Sequence, residues 1–215
     1  MAEPIVIVGA SLAGLRAAET LRDRGFDGEL TLIGDEPHRP YDRPPLSKQV
    51  LQGAWEPEQT FFRKKDGYDA LALDMRLGVR AVSVDLRARR VALADGSNVD
   101  YDRLIIATGA RPRTIPGMAP RAGLLVLRGL DDAIALRRAM MDAPRVAIVG
   151  GGLIGLEVAA SCRARGLPVT VIEALPVPLS PILGPTLGEM VADMVEDGKG
   201  RSPPDLFRIG RFLVS

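Results

Sequence analysis

The 215-residue sequence contains a single cysteine, Cys162, and a single histidine, His38. One cysteine excludes an internal disulfide, and one histidine excludes both a histidine-based catalytic triad and a histidine-rich metal cluster. No charge of either sign is in excess, because 28 lysines and arginines stand against 27 aspartates and glutamates. The chain therefore lacks an overall field that would draw it to nucleic acid or to an anionic membrane.

Long hydrophobic runs are also missing. The longest runs, Ile5–Leu15 and Val146–Leu156, are about half as long as a membrane-spanning helix, and both are rich in glycine. The N-terminal residues Met-Ala-Glu-Pro lack the positive region of a secretory signal. The chain is nevertheless 47% hydrophobic, which suits a buried core. We therefore expect a soluble globular protein in the reducing cytoplasm.

What the sequence does contain is one pattern written twice. Ile5–Gly25 reads IVIVGASLAGLRAAETLRDRG, and Val146–Gly166 reads VAIVGGGLIGLEVAASCRARG. Each copy predicts a strand buried in a parallel sheet, then an amphipathic helix, then a second strand at Leu30–Ile33 or Val169–Glu173. The copies lie 141 residues apart, which is too far for a solenoid repeat. We therefore predict a duplicated βαβ unit.

The residues between the copies predict other structure. Gly34–Lys48 is too rich in proline for regular elements, so we expect a long irregular loop there. Ala81–Ala107 alternates apolar and polar residues around an Asp-Gly turn, which predicts an antiparallel β-meander closed by a buried strand, RLIIAT. Asp131 or Asp132 is expected to cap a helix that runs to about Asp142.

Proline-rich stretches suggest how the chain divides. The prolines between residues 112 and 120 mark the boundary we expect between a first domain, 1–112, and a second, 113–195. Leu187–Val195 predicts a short helix. The remaining tail, 196–215, shows neither a strand pattern nor another motif.

The second glycine loop matches a dinucleotide-binding fingerprint. In such a loop the first glycine permits the tight turn, the second lets the backbone approach a pyrophosphate, and the third lets the helix pack on the strand. Gly150, Gly152 and Gly155 have this spacing. Glu173 ends the following strand, where a carboxylate accepts hydrogen bonds from a ribose 2′-hydroxyl and repels a 2′-phosphate. The pattern therefore favours NADH over NADPH.

The first glycine loop is a looser match to the same fingerprint. Gly9 and Gly14 fit, but Ser11 replaces the second glycine, and Asp35-Glu36 supplies the acid after the second strand. Glycines that serve packing alone remain the alternative for either loop. Two dinucleotide sites in one chain indicate electron transfer between two cofactors, most often from a nicotinamide to a flavin.

Four stretches occur in a family-specific order: VGASLAG, GDEPHRPYDRPPLSK, YDRLIIATGARPR and VGGGLIGLEVAA. With them, residues 4 to 194 resemble the FAD-dependent NADH:ferredoxin reductases that serve Rieske dioxygenases and bacterial cytochromes P450. The resemblance implies an α/β fold with two Rossmann-like three-layer dinucleotide-binding domains, for FAD and NAD, and a β-meander. It also implies hydride transfer from NADH to FAD, followed by single-electron transfer to a ferredoxin.

The resemblance carries roles to individual residues. It implies that FAD is bound by Gly9, Ser11, Leu12, Ala13, Gly14, Asp35, Glu36, Arg43, Lys48, Ala81, Val82, Ala107, Thr108, Gly109 and Arg128. It implies that NADH is bound by Gly150, Gly152, Leu153, Ile154, Gly155 and Glu173, and that Glu157 also belongs to the cofactor-binding residues. Lys48 would lie beside the flavin ring with Glu157 as its partner, where a held ammonium stabilises developing negative charge. Both residues thereby become catalytic candidates.

Other readings of these residues stay open. Lys48 fits a solvated loop lysine and Glu157 a helix-surface acid. The basic residues at 63–65 and at 87, 89 and 90 fit either a docking site for an acidic iron-sulfur protein or solvated charge runs. Pro44–Lys48 lacks the reactive cysteine of disulfide reductases, which excludes dithiol chemistry, and Cys162 is expected to pack within its helix.

Family members are much longer than this chain, and the segments that complete both of their dinucleotide domains have no counterpart here. We therefore expect both domains to be incomplete. The alternative to an active reductase is a truncated, noncatalytic remnant that binds nucleotide weakly.

Overall fold

The computed structural model describes residues 3–113, 115–117, 119, 121–175, 177–187, 190 and 207–211. The chain divides into two compact units. The first comprises Met1–Asp42 and Glu58–Arg113, and the second comprises Arg43–Pro57 and Thr114–Ser215. The functional domains expected at 1–112, 113–195 and 196–215 stay a prediction.

The regular elements of the described residues are numbered in chain order. The strands are β1 Ile5–Val8, β2 Leu30–Gly34, β3 Leu73–Leu77, β4 Ala81–Asp85, β5 Arg90–Leu93, β6 Asn98–Asp100, β7 Arg103–Ile106, β8 Val146–Val149, β9 Val169–Glu173 and β10 Phe207–Arg211. The α-helices are α1 Leu12–Asp23, α2 Lys65–Asp69, α3 Leu130–Ala139, α4 Leu153–Ala164 and α5 Ser180–Leu183.

The first unit is built on a parallel sheet with strand order β3-β2-β1-β7. The prediction that Ile5–Val8 is buried on both faces is confirmed, since all four residues of β1 are buried. Helix α1 packs over this sheet, with Ala18 in the core beside Ile5 and Ile7. It ends as predicted, because Gly25 adopts a φ of 83° just beyond the C-cap. Strand β3 has no counterpart among the sequence predictions.

The predicted meander forms from β4, β5 and β6, which pair antiparallel. Val91 and Leu93 of β5 are buried, whereas Val82 and Val84 of β4 face outward. The closing strand was predicted wrongly in one respect. Strand β7 joins the parallel sheet beside β1 and has no further described neighbour, so Ile106 is 69% exposed rather than buried.

The proline-rich segment is more ordered than expected. Leu46–Val50 forms a π-helical turn, in which the Val50 amide donates to the Pro45 carbonyl. Leu46 and Val50 are buried, which gives this turn an apolar anchor. The expectation of an irregular loop through Lys48 is therefore wrong for this part, because burial of Leu46 and Val50, four residues apart, organises the backbone as a helical turn.

The second unit contains a parallel sheet of order β10-β9-β8, with α4 packed on it through Val158, Ala159 and Cys162. Strands β8 and β9 and helix α4 confirm the second βαβ prediction. Strand β10 pairs with β9 along its full length, so the expectation of a tail without a strand is wrong. The helix predicted over Leu187–Val195 lies mostly outside the described residues.

Helix α3 begins at a different residue from the one predicted. Its N-cap is Gly129, and Asp132 lies at the third helical position, where its carboxylate accepts hydrogen bonds from the amides of Arg128 and Gly129. The acid thus satisfies free amides from inside the first turn. The helix continues as a 3-10 turn to Asp142, as predicted.

Among the described residues, no helix has both the length and the apolar character needed to cross a membrane.

Candidate functional site

The first glycine turn packs tightly against the strand that closes the parallel sheet. Gly9 has a φ of 124°, and a Cβ there would lie 2.0 Å from the Ala107 carbonyl oxygen. A Cβ on Gly14 would lie 1.9 Å from the carbonyl oxygen of Gly9. Both positions therefore require glycine, and this close packing brings the predicted residues Gly9, Gly14 and Ala107 together.

Helix α1 presents its N-terminus beside this turn. Ser11 is the N-cap, but its side chain makes no capping hydrogen bond, and the first turn holds no acidic residue. Leu12 and Ala13 follow, so the first amides point out of the helix without a side-chain acceptor. These amides and the positive end of the helix dipole fit a pyrophosphate.

Two acids follow β2, and they have different surroundings. Asp35 is exposed and lies 3.6 Å from the guanidinium of Arg111. Glu36 accepts a hydrogen bond from the Tyr41 hydroxyl. Asp35 is therefore the more accessible of the predicted ribose acceptors, and Arg111 is a neighbour that sequence reasoning missed.

The other predicted flavin contacts of the first unit lie on segments that meet the same edge. The Gly78 amide donates to the Glu36 carbonyl, which sets the residues before Ala81 and Val82 beside the two acids. Thr108 and Gly109 follow β7 directly after Ala107. Their roles in FAD binding stay predictions.

The second glycine turn repeats the geometry of the first. Gly150 has a φ of 105°, and a Cβ on Gly155 would lie 2.0 Å from the Gly150 carbonyl oxygen. Gly152 is the N-cap of α4, and a Cβ there would meet nothing within 4 Å. Leu153 and Ile154 are each 53% exposed in the first turn. The loop therefore leaves open the point at which a pyrophosphate would approach.

Glu173 is held against this loop by backbone amides. Its Oε2 accepts from the Gly151 amide at 2.6 Å, and its Oε1 accepts from the Leu175 amide at 2.9 Å. A Cβ on Gly151 would lie 3.0 Å from Oε2. Sequence reasoning missed Gly151, whose lack of a side chain makes room for the predicted ribose acceptor.

Lys48 and Glu157 form an ion pair within the second unit. Lys48 Nζ lies 2.9 Å from Glu157 Oε2, and the two side chains are 38% and 37% exposed. The Ser47 hydroxyl donates to the same oxygen at 2.5 Å. The hydrogen bond from Ser47, followed by that from Lys48, lowers the pKa of Glu157, although desolvation opposes the shift. The pairing is thus present, while its catalytic role stays a prediction.

The remaining predicted flavin contacts of the second unit also meet. Arg43 Nη1 donates to the Arg128 carbonyl at 2.7 Å. At the other end of the same segment, Arg137 lies 3.0 Å from the Glu56 carboxylate and donates to the Trp55 carbonyl. Residues 43–57 are therefore fastened to the second unit at both ends.

Several of the basic residues at 63–65 and at 87, 89 and 90 form ion pairs with acids of the same chain. Arg63 binds the buried Glu19, Arg89 lies 3.1 Å from Asp102, and Arg90 lies 2.6 Å from Asp100. These contacts support the reading of solvated or structural charge over a docking patch. Cys162 is buried, and burial raises the pKa of its thiol. Among the described residues, no group of three or more histidine, cysteine, aspartate or glutamate side chains is placed to hold a metal ion.

Comparison with known proteins gives consistent matches. Residues 3–199 match a family model described as pyridine nucleotide-disulphide oxidoreductase. The chain is 40% identical to the chlorobenzene dioxygenase ferredoxin reductase component of Cupriavidus sp. (strain PS12), over 92% of this chain and 48% of the relative. It is 42% identical to the rhodocoxin reductase of Rhodococcus erythropolis, over 82% of this chain and 42% of the relative.

A solved structure matches as well. The chain superposes on the structure of a covalent putidaredoxin reductase–putidaredoxin complex with a TM-score of 0.87 and 33% identity, over 97% of this chain and 49% of that one. The chain thus spans about half the length of the curated relatives that it matches.

Proposed function

Because the chain belongs to the pyridine nucleotide-disulphide oxidoreductase family, we propose that it carries the FAD- and NADH-binding parts of a ferredoxin reductase serving an oxygenase system. The observation that carries the proposal is the duplicated glycine turn, since each copy leads into a helix whose first amides receive no hydrogen bond from an N-cap side chain: the Ser11 hydroxyl makes none, and Gly152 has no side chain. Two such helix starts suit two pyrophosphates. The proposed electron acceptor is a ferredoxin, and the proposed location is the cytoplasm.

The first turn would hold FAD. The amides at the start of α1, beside Ser11, Leu12 and Ala13, would bind the pyrophosphate, and the exposed carboxylate of Asp35 would accept the ribose hydroxyls. When bound, FAD would accept a hydride from NADH and release electrons singly to the iron-sulfur partner.

The second turn would hold NADH. The start of α4 would bind its pyrophosphate, and Glu173 would accept hydrogen bonds from the adenosine ribose. Two backbone amides already orient this carboxylate, which supports a role in which it would present a fixed negative charge to the ribose. A 2′-phosphate would be repelled there, which supports NADH over NADPH.

Lys48, paired with Glu157, would stabilise the negative charge that develops on a neighbouring cofactor ring during the reaction. Hydrogen bonds from Ser47 and Lys48 stabilise the ionised carboxylate of Glu157, which lowers its pKa, and this carboxylate pairs with the Lys48 ammonium. An ammonium with a fixed position stabilises negative charge that develops on a neighbouring ring without reorganising during the reaction.

Two aspartate substitutions at matched positions test the proposal. Aspartate is a good N-cap, so Ser11→Asp and Gly152→Asp should both preserve folding, while the new carboxylate repels a pyrophosphate. The wild-type chain, incubated with FAD and desalted, should be yellow and should bleach when NADH is added without oxygen. Ser11→Asp should be colourless, whereas Gly152→Asp should be yellow and at least tenfold slower to bleach.

Visible absorbance and circular dichroism supply the measurements. A folded but colourless wild-type chain would overturn the proposal and favour the noncatalytic remnant. Full FAD retention by Ser11→Asp, or unchanged bleaching of Gly152→Asp, would remove the corresponding helix start from the proposed site.

A further inference from the structure

One face of α4 carries polar side chains at every fourth residue. Glu157 and Ser161 lie in α4, and Arg165 is its C-cap residue. At positions i, i+4 and i+8, the three follow one another along one side. All three bind the segment Leu46–Gln52, which precedes α4 by about a hundred residues. We call Glu157, Ser161 and Arg165 the α4 polar stripe.

Ser161 makes the central contact of the α4 polar stripe. It is fully buried, and its hydroxyl donates to the Ser47 carbonyl at 2.6 Å while accepting from Gln52 Nε2 at 3.3 Å. A serine inside a helix commonly bonds its own helix four residues back. Here the hydroxyl bonds another segment instead, and its burial makes the loss of that bond unfavourable.

Arg165 extends the contact by one turn. Its Nη1 donates to the Leu51 carbonyl at 3.0 Å. Together, Ser161 and Arg165 hold two carbonyl groups, one on each side of Lys48. The backbone that carries the lysine therefore has a fixed position relative to α4.

Ser47 links this backbone anchor to the ion pair. Its carbonyl accepts from Ser161, and its hydroxyl donates to the Glu157 oxygen that also binds Lys48. A lysine–glutamate pair with both partners more than one-third exposed contributes little by itself, because water screens it and both side chains lose rotamer freedom. The geometry of the pair must then depend on the anchored backbone.

We propose that Ser161, assisted by Arg165, is a positioning residue that holds Ser47 and Lys48 against Glu157. Its importance for electron transfer rests on the proposed function, in which Lys48 lies beside the flavin. The positioning itself requires neither cofactor and is therefore measurable on the chain alone.

The test is a titration of Glu157 in the 215-residue chain without added FAD or NADH. Carboxyl carbon resonances of ¹³C-labelled glutamates are followed by NMR, and Glu157→Gln identifies the resonance of Glu157. Ser161→Ala removes the hydroxyl and should move the pKa of Glu157 upward, toward its ordinary value. Arg165→Met keeps the aliphatic chain, removes the donor and should produce a shift in the same direction.

Cys162→Ala is the matched control. Cys162 is the next residue of α4 and is fully buried, but it packs in the apolar core of the second unit. The substitution should weaken helix packing and leave the pKa of Glu157 unchanged. A purely structural role of Ser161 would instead give Ser161→Ala and Cys162→Ala the same effect.

Each result decides the proposal. An unchanged pKa in folded Ser161→Ala, or an equal shift in Cys162→Ala, overturns it. If Ser161→Ala does not fold, Arg165→Met decides alone, since a shift supports the proposal and no shift overturns it. A colourless wild-type chain would end the proposed function and leave this titration unaffected, so the two failures remain distinguishable.

Discussion

Glu19 is an acid on the buried side of α1. Its side chain is 9% exposed and lies 2.6 Å from both Arg16 and Arg63. Burial acts to raise the pKa of Glu19, but the hydrogen bonds from Arg63 and Arg16 outweigh it and lower the pKa. The charge of Glu19 therefore stabilises the folded state, because the folded protein binds its proton more weakly than the unfolded chain.

Glu19→Gln should destabilise the first unit by about 1.5 to 3 kcal/mol at pH 7, the range for hydrogen bonds to charged groups. A lowered folded pKa gives stability that is complete above the unfolded pKa, near 4.3, and lost as the pH falls through the folded value. The difference between wild type and variant should therefore shrink below about pH 4. Urea unfolding at pH 7 and pH 3.5 measures it.

Asp74→Asn provides a matched control for Glu19→Gln. Asp74 lies 3.0 Å from Arg76, but its side chain is exposed, so water screens the pair. Its loss should change the unfolding free energy by less than about 0.5 kcal/mol at either pH. If the difference in unfolding free energy between wild type and Glu19→Gln does not change with pH, the ion pairs of Glu19 do not stabilise the folded state as proposed.

At the scale of elements, a residue of each glycine turn packs against a residue at the end of the following strand. The glycine that makes room lies on the strand in the first unit and in the turn in the second unit. The register pairs Val8 with Ile33 and Val149 with Ile172, so Gly34 and Glu173 are equivalent positions at the ends of β2 and β9. Ala10 faces the glycine in the first unit, and Gly151 faces the glutamate in the second. In each copy, one member of the facing pair is glycine.

A double-mutant cycle tests this reciprocity. A Cβ on Gly34 would lie 2.6 Å from the Ala10 Cβ, so Gly34→Ala should lower stability by about 1 to 3 kcal/mol through overpacking. Ala10→Gly in the same chain should recover part of that loss, which appears as a favourable coupling energy. Denaturant unfolding of the single and double variants measures the coupling, and a value within error of zero would contradict the facing-pair interpretation.

Sequence patterns predicted the repeated elements well and the irregular ones poorly. Helices α1 and α4 were predictable because their apolar spacing and terminal glycines act locally. The π-helical turn Leu46–Val50 was not, because its form depends on contacts with α3 and α4, which lie far along the chain. The partners Ser161 and Arg165 show one usable local signal, since with Glu157 they place a polar residue at every fourth position on one side of α4.

At the scale of the whole molecule, neither compact unit is one continuous segment of the chain. The segment Arg43–Pro57 belongs with Thr114–Ser215, although the residues on both sides of it belong to the first unit. Leu51 is fully buried in the core of the second unit with Val158 and Cys162. Stability within each unit should therefore be shared by residues that are distant in sequence.

Hydrogen exchange followed by mass spectrometry should reveal this grouping. Leu51→Ala removes a buried side chain, at a cost of about 2 to 5 kcal/mol, and should reduce protection in Leu46–Val50 and in α4 together. Leu15→Ala, in the buried cluster with Tyr68 and Leu71, is the matched control and should reduce protection in α1 instead. Equal loss in both regions from either variant would contradict two separately cooperative units.

The distance along the chain between Ser47 and Ser161 has a consequence for synthesis. The two residues are 114 positions apart, so at about 5 to 20 residues per second the ribosome makes Ser161 roughly 6 to 23 seconds after Ser47. During that interval the nascent segment exposes Leu46, Val50 and Leu51 with no helix yet available to cover them. Chaperones that bind short apolar stretches should therefore capture the growing polypeptide here, and release should coincide with the emergence of α4.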